Sequence, residues 1–104
     1  MAKLVKNTTD IDNIFTYFEF SGCDDWDDFD ILLSILTEQM GCQVSERLDG
    51  IYSKHCTLGI NNFVFKLMYH EDFGNCLCNQ DRKDEIYYNQ LEKIAKEVIS
   101  KLNL

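Results

Sequence analysis

Apolar and polar positions alternate over several stretches of this chain, and this alternation predicts a series of β-strands. Residues 14–20 are aromatic or β-branched except for Glu19, and Ser21 and Gly22 end the run. Three more strands are predicted at residues 42–48, 51–60 and 63–69, and a short run at 76–78 can add another. Because tight-turn sequences separate the three longer ones, we expect an antiparallel meander.

The alternation also predicts which face of each strand lies toward the core. Two neighbouring strands place every second residue on an apolar face, whereas Lys66 and His70 fall on the other one. The predicted core positions are Cys56, Leu58, Ile60, Phe63, Phe65, Leu67 and Tyr69.

Two other segments have the spacing of amphipathic helices. In the first, Asp24 is the predicted cap and Gly41 the predicted end. Its apolar positions recur at steps of three and four, at Trp26, Phe29, Leu33, Leu36 and Met40. The second follows Asp81 as its predicted cap. Its apolar stripe comprises Ile86 or Tyr87, Leu91, Ile94, Val98 and Leu102.

The order of these elements is β-α-β-β-β-(β)-α. Helices at both ends of a run of strands joined by short turns predict an α+β fold. We expect a four- to five-stranded antiparallel sheet with both helices on one face. The 104 residues contain no proline and no linker-like segment, and 45% of them are hydrophobic, so residues 1–104 are predicted to form a single domain.

The N-terminus and the cysteines indicate a cytoplasmic protein. No secretory signal is visible at the N-terminus, and the longest nearly apolar run, residues 31–36, is far too short to span a bilayer. The five cysteines are odd in number and scattered, as expected for reduced thiols that pack as small apolar side chains.

Charge is distributed unevenly along the chain. The formal net charge is −8, which argues against direct binding of nucleic acid or an anionic membrane and favours a cationic partner. No lysine or arginine occurs between Asn7 and Glu46. The acidic residues of that stretch are Asp10, Asp12, Glu19, Asp24, Asp25, Asp27, Asp28, Asp30, Glu38 and Glu46.

The densest acidic cluster is at residues 24–30, where five of seven residues are aspartate. Aspartates at a helix start can act as solvated caps, but five exceed what capping uses, and a cationic ligand would relieve their mutual repulsion. Trp26 lies among them, either in the core or as an interface anchor. The candidate partner-binding residues are Glu19, Asp24, Asp25, Trp26, Asp27, Asp28 and Asp30.

No motif indicates a metal, a cofactor or catalysis. Counting from Asp25 or Asp27, the ligand positions of a calcium-binding EF-hand loop are not matched. Cys76 and Cys78 with His70, or His55 with Cys56, could bind zinc, but no pair of C-x-x-C motifs accompanies them, and packing in the core explains the spacing as well. We therefore expect no cofactor and no stoichiometric metal.

Enzymatic activity is not expected either. His55 and His70 are the only histidines, and neither has the spacing to a nucleophile that defines a catalytic triad. Both fit structural roles in or beside a strand. The five glycines are isolated, so no phosphate-binding loop is present.

In size, acidity and element order the chain resembles the immunity proteins of bacterial contact-dependent growth inhibition and related polymorphic-toxin systems. The resemblance implies an acidic inhibitor that forms a 1:1 complex with a cationic toxin domain. That domain would be a nuclease, an RNase rather than a DNase, whose substrate-binding cleft the inhibitor covers. The alternative is a small acidic regulatory or scaffolding domain that binds a metabolite or another protein.

Overall fold

The computed structural model describes residues 2–9 and 15–104, which form one antiparallel six-stranded sheet and two helices. The strands are β1 Lys3–Thr9, β2 Phe15–Ser21, β3 Gln43–Asp49, β4 Ser53–Ile60, β5 Phe63–His70 and β6 Gly74–Cys78. Helix α1 is Asp28–Ser34 and continues as a π-helical segment, Ile35–Gln39, and helix α2 is Glu85–Leu102. Ile14, the predicted start of β2, and the acidic residues Asp10 and Asp12 lie outside the described residues.

The sheet order is β1-β2-β6-β5-β4-β3, so the last strand of the chain, β6, lies at its centre. There β6 pairs with β2 on one side, with Phe18 opposite Leu77, and with β5 on the other. Strands β3 to β6 form the predicted meander. The turn between β4 and β5 has positive φ at Asn61 (50°) and Asn62 (66°), as a tight hairpin requires.

The α+β class with one antiparallel sheet and two helices is confirmed, but the predicted number of strands, four to five, is wrong. Strand β1 was not predicted because it lies at the sheet edge and its alternation is weak. Its positions facing the core are Leu4, which is only partly buried, and Lys6. The observed order is therefore β-β-α-β-β-β-β-α.

One hydrophobic core lies between the helices and one face of the sheet. Phe29 and Leu32 of α1 and Leu91 and Val98 of α2 are fully buried in it. The sheet contributes Phe18, Phe20, Leu58, Phe65, Leu67 and Leu77, all with 0% exposure. Within the described residues, no helix covers the other face of the sheet.

The first helix departs from its predicted start and stripe. It begins at Asp28 and not after Asp24, and Trp26 lies in the preceding turn. Leu33 is only partly buried, whereas Leu32 and Ile35 are buried. The buried stripe shifts by one residue because Leu32 lies three residues after Phe29 and four before Leu36, a spacing that a regular helix also places on one face.

The second helix also starts later than predicted. Asp84 and not Asp81 caps it, and its carboxylate accepts a hydrogen bond from the Tyr87 backbone N–H at 3.1 Å. Tyr87 and Tyr88 are buried, whereas Ile86 is 81% exposed. Ile94 and Leu102 are partly buried against the core. No helix in the described part of the chain is long and apolar enough to cross a membrane.

Candidate functional site

The predicted acidic cluster lies mainly in the connection between β2 and α1. Residues 22–27 form this connection, which we call the acidic loop. Asp24, Asp25 and Asp27 are exposed in it, and the Trp26 side chain is 37% exposed. The loop thus presents three carboxylates and part of an indole ring to solvent.

A buried asparagine of the central strand β6 holds the acidic loop from the core side. Asn75 has 0% exposure, and its Nδ2 donates to the Cys23 carbonyl at 2.8 Å and the Asp25 carbonyl at 3.1 Å. Its Oδ1 has no hydrogen-bond partner among the described residues. These two bonds fix the loop backbone on both sides of Asp24.

A buried lysine of β4 supplies a second anchor. Lys54 is 4% exposed, and its Nζ donates to the Trp26 carbonyl at 3.1 Å and to Asp30 at 3.4 Å. The same ammonium lies 4.3 Å from the centre of the Trp26 ring, a cation–π contact. Trp26 also packs edge-on against Tyr69, with ring centres 5.5 Å apart. Trp26 therefore covers Lys54 on one side and faces solvent on the other.

Two aspartates of the cluster also stabilise the turn. Asp24 accepts a hydrogen bond from the Gly22 N–H at 3.1 Å, and Asp28 accepts one from the Asp25 N–H at 3.1 Å. Asp24 lies close over Gly74, where an added Cβ would be 3.2 Å from the Asp24 Cα. Gly74 also has a φ of +70°, so glycine is favoured there by conformation and by space.

The charges of the acidic loop are not balanced within the molecule. In the described part of the chain, no basic side chain lies within ion-pair distance of Asp24, Asp25 or Asp27. Asp30 differs, because Arg47 approaches it at 3.0 Å and Lys54 at 3.4 Å. Burial raises the pKa of Asp30, but these two cations outweigh burial and hold the pKa below its usual value.

The structure separates Glu19 from the rest of the predicted site. Glu19 lies on the sheet face opposite the helices and accepts a hydrogen bond from Asn7 Nδ2 at 3.1 Å. Asp24, Asp25, Trp26 and Asp27 are together in the acidic loop, and Asp28 and Asp30 follow in the first turn of α1.

Sequence reasoning did not identify the two anchors, although the alternation contained a signal for both. Lys54 lies on the same face of its strand as the core residues Cys56 and Leu58, because they are two and four positions apart. Asn75 likewise shares the face of Leu77. A polar residue on the buried face of a strand needs a polar partner. In both cases that partner is the backbone of the acidic loop.

The two cysteines of β6, which were considered as zinc ligands, lie on the sheet face opposite the helices. Cys76 and Cys78 share one face, as predicted, but it is the face without helices and not the core. A hydrogen bond between the two thiols raises the pKa of Cys76 and lowers that of Cys78. All five cysteines are free and buried, and burial raises the pKa of Cys23, within the acidic loop, to about 11.

The two histidines lie apart from any grouping of metal ligands. His70 Nδ1 accepts a hydrogen bond from the Asp72 N–H at 3.1 Å, and its ring packs against Phe73 with centres 5.3 Å apart. Among residues 2–9 and 15–104, no three His, Cys, Asp or Glu side chains are grouped so that they could hold a metal ion. Comparisons of the chain with protein-family models, curated proteins and solved structures find no match.

Proposed function

We propose that this protein is an immunity protein that binds a basic toxin domain one to one and blocks its substrate-binding cleft. The toxin is a nuclease, and an RNase in preference to a DNase. The observation that carries the proposal is the acidic loop, whose exposed carboxylates of Asp24, Asp25 and Asp27 have no cationic partner among the described residues.

The anchoring of the loop supports this function. Asn75 and Lys54 hold the loop backbone from the core side, so little conformational entropy is lost when a partner binds. Carboxylates held close together repel one another, and a cationic cleft that binds phosphate groups would relieve that repulsion. The loop therefore offers a fixed arrangement of negative charge to a surface built for nucleic acid.

Trp26 supplies an apolar contact surface among the aspartates of the acidic loop. Tryptophan is among the residues that contribute most to binding energy in protein interfaces. Here the ring is fixed by Lys54 and Tyr69 while 37% of the side chain remains exposed. In the proposed complex Trp26 and the loop aspartates contact the toxin, Asp30 stays paired with Arg47, and Glu19 adds to the electrostatic field from the other face.

The test is association of the protein with the toxin domain encoded beside it. Replacing Asp24, Asp25, Asp27 and Asp28 with asparagine should slow association by about tenfold or more, since steering by charge dominates the on-rate of such complexes. The salt dependence of the rate should weaken as well. The fold should be kept, because an asparagine Oδ1 can accept the hydrogen bonds from Gly22 and Asp25.

A matched control removes the same amount of charge elsewhere. Glu46, Glu71, Glu85 and Glu97 are exposed and form no ion pair with any other described residue, so changing all four to glutamine alters net charge equally. That variant should associate much faster than the loop variant. Equal rates for the two variants would place the interface elsewhere. If the unaltered protein fails to protect cells against the neighbouring toxin, the immunity function is wrong and a regulatory or scaffolding domain takes its place.

A further inference from the structure

Three sulfur atoms meet on the sheet face that no helix covers within the described residues. Cys76 and Cys78 project from β6, and Met68 projects from β5 directly opposite Cys76. The Cys78 Sγ lies 3.1 Å from the Met68 Sδ, and Cys76, two residues before Cys78 on β6, lies on the same face. We call Met68, Cys76 and Cys78 the sulfur cluster.

Neighbouring side chains shield the cluster, and no helix of residues 2–9 and 15–104 lies over it. Cys78 is 1% exposed and Cys76 is 8% exposed, whereas Met68 is partly exposed. An ion could therefore reach the sulfurs past Met68 and Cys76. Lys66 lies opposite Cys78 in the register, so a positive charge flanks the cluster on the same face.

We propose that the sulfur cluster binds one Cu(I) ion, with the two cysteine thiolates and the methionine thioether as its ligands. Soft thiolate and thioether ligands favour soft metals, Cu(I) and zinc among them. A thioether suits Cu(I) better than zinc, because Cu(I) is the softer ion. Zinc sites also need a fourth ligand or a bound water, and no third His, Cys, Asp or Glu joins these thiols in the described part of the chain.

The charges of the proposed site balance with the help of Lys66. Binding replaces two thiol protons with one monovalent ion, so the site becomes more negative by one charge, which the ammonium of Lys66 offsets. The sequence-based expectation of no stoichiometric metal rested on carboxylate, thiolate and imidazole ligands and did not include a thioether. A methionine from the neighbouring strand could not be assigned to the cluster before the strand register was known. This proposal does not depend on the immunity function.

The experiment is an anaerobic competition between the full-length protein and the coloured Cu(I) complex of bathocuproine disulfonate. The unaltered protein should remove one Cu(I) per chain, and X-ray absorption of the product should show only sulfur neighbours. Cys76→Ala/Cys78→Ala should abolish the transfer. Met68→Leu keeps the apolar volume but removes the thioether. It should lower the affinity for Cu(I) by at least about tenfold, because even the loss of a residue that only supports a ligand has an effect of that size.

The matched control is Cys42→Ala/Cys56→Ala, which removes two buried thiols on the helix side of the sheet and should leave Cu(I) binding unchanged. Circular dichroism of every variant checks the fold. The proposal is overturned if the unaltered protein removes no copper. It is also overturned if the Cys76/Cys78 variant still takes up copper, or if Met68→Leu binds as tightly as the unaltered protein.

Discussion

Single buried polar residues determine the position of the exposed acidic loop. Lys54 and Asn75 lie on the core face of their strands, where burial of a polar group is unfavourable unless its hydrogen bonds are made. Both satisfy most of that requirement with backbone carbonyls of the loop. The position of the loop is thus tied to the stability of the core.

Replacing Lys54 with methionine tests this link. The change keeps the apolar stem but removes the bonds to Trp26 and Asp30, so the free energy of unfolding should fall by about 1 to 3 kcal/mol. Because the chain has one tryptophan, its fluorescence reports directly on the loop, and emission should shift as Trp26 loses its cation.

Lys96→Met is the control for that variant, since Lys96 is exposed on α2 and makes no ion pair with residues 2–9 or 15–104. The Lys96→Met change should alter the free energy of unfolding by no more than about 0.5 kcal/mol. It should leave the fluorescence of Trp26 unchanged. Equal stability of the two variants in urea would show that Lys54 does not anchor the loop.

At the scale of elements, two adjacent leucines differ in their burial on the first helix. Leu32 has 0% exposure, whereas its neighbour Leu33 only borders the core. Regular helical spacing from Phe29 allows either Leu32, three residues on, or Leu33, four residues on, to share its face. The structure selects Leu32, which lies four residues before the buried Leu36.

The same change at the two adjacent leucines should have unequal effects. Leu32→Ala should lower the free energy of unfolding by about 2 to 5 kcal/mol, the cost of a cavity in a close-packed core. Leu33→Ala removes a side chain that is partly exposed already, and its cost should be clearly smaller. Chemical denaturation of both variants measures the difference, and a greater loss for Leu33→Ala would mean that the helix is rotated.

Local pattern was sufficient to predict elements whose burial follows a regular period. The residues of β5 alternate from Phe63 to Tyr69, and the buried face has that period in the structure. The pattern failed where burial is incomplete, as in the edge strand β1, and where two adjacent apolar residues fit the same helical face, as Leu32 and Leu33 do. The acidic loop was visible as composition, but its anchors depend on contacts between residues 28 to 52 positions apart.

At the scale of the molecule, the net charge of −8 makes the folded protein repel itself. Asp25 and Asp27 are the clearest case, because both are exposed and neither side chain accepts a hydrogen bond or pairs with a cation within the described residues. If these carboxylates serve binding, the isolated protein does not need their charge.

Asp25→Asn/Asp27→Asn should therefore leave the free energy of unfolding unchanged or raise it by up to about 1 kcal/mol at low salt. The difference should shrink at high salt, where the repulsion is screened. Asp30→Asn should instead lower stability, since it weakens the pairs with Arg47 and Lys54. Denaturation at two salt concentrations compares the variants, and a marked loss for the double variant would assign its aspartates to the fold.

The central position of β6 also constrains the order in which the chain can be assembled during synthesis. Strand β2 leaves the ribosome early, but its partner strand, Gly74–Cys78, follows more than fifty residues later. Until then Phe18 and Phe20 have neither a neighbouring strand on that side nor the surface of α2 to cover them. Closing such a long loop is slow compared with forming a hairpin. Premature termination anywhere before β6 would thus release a chain with an unpaired, aromatic strand edge, which is prone to aggregate.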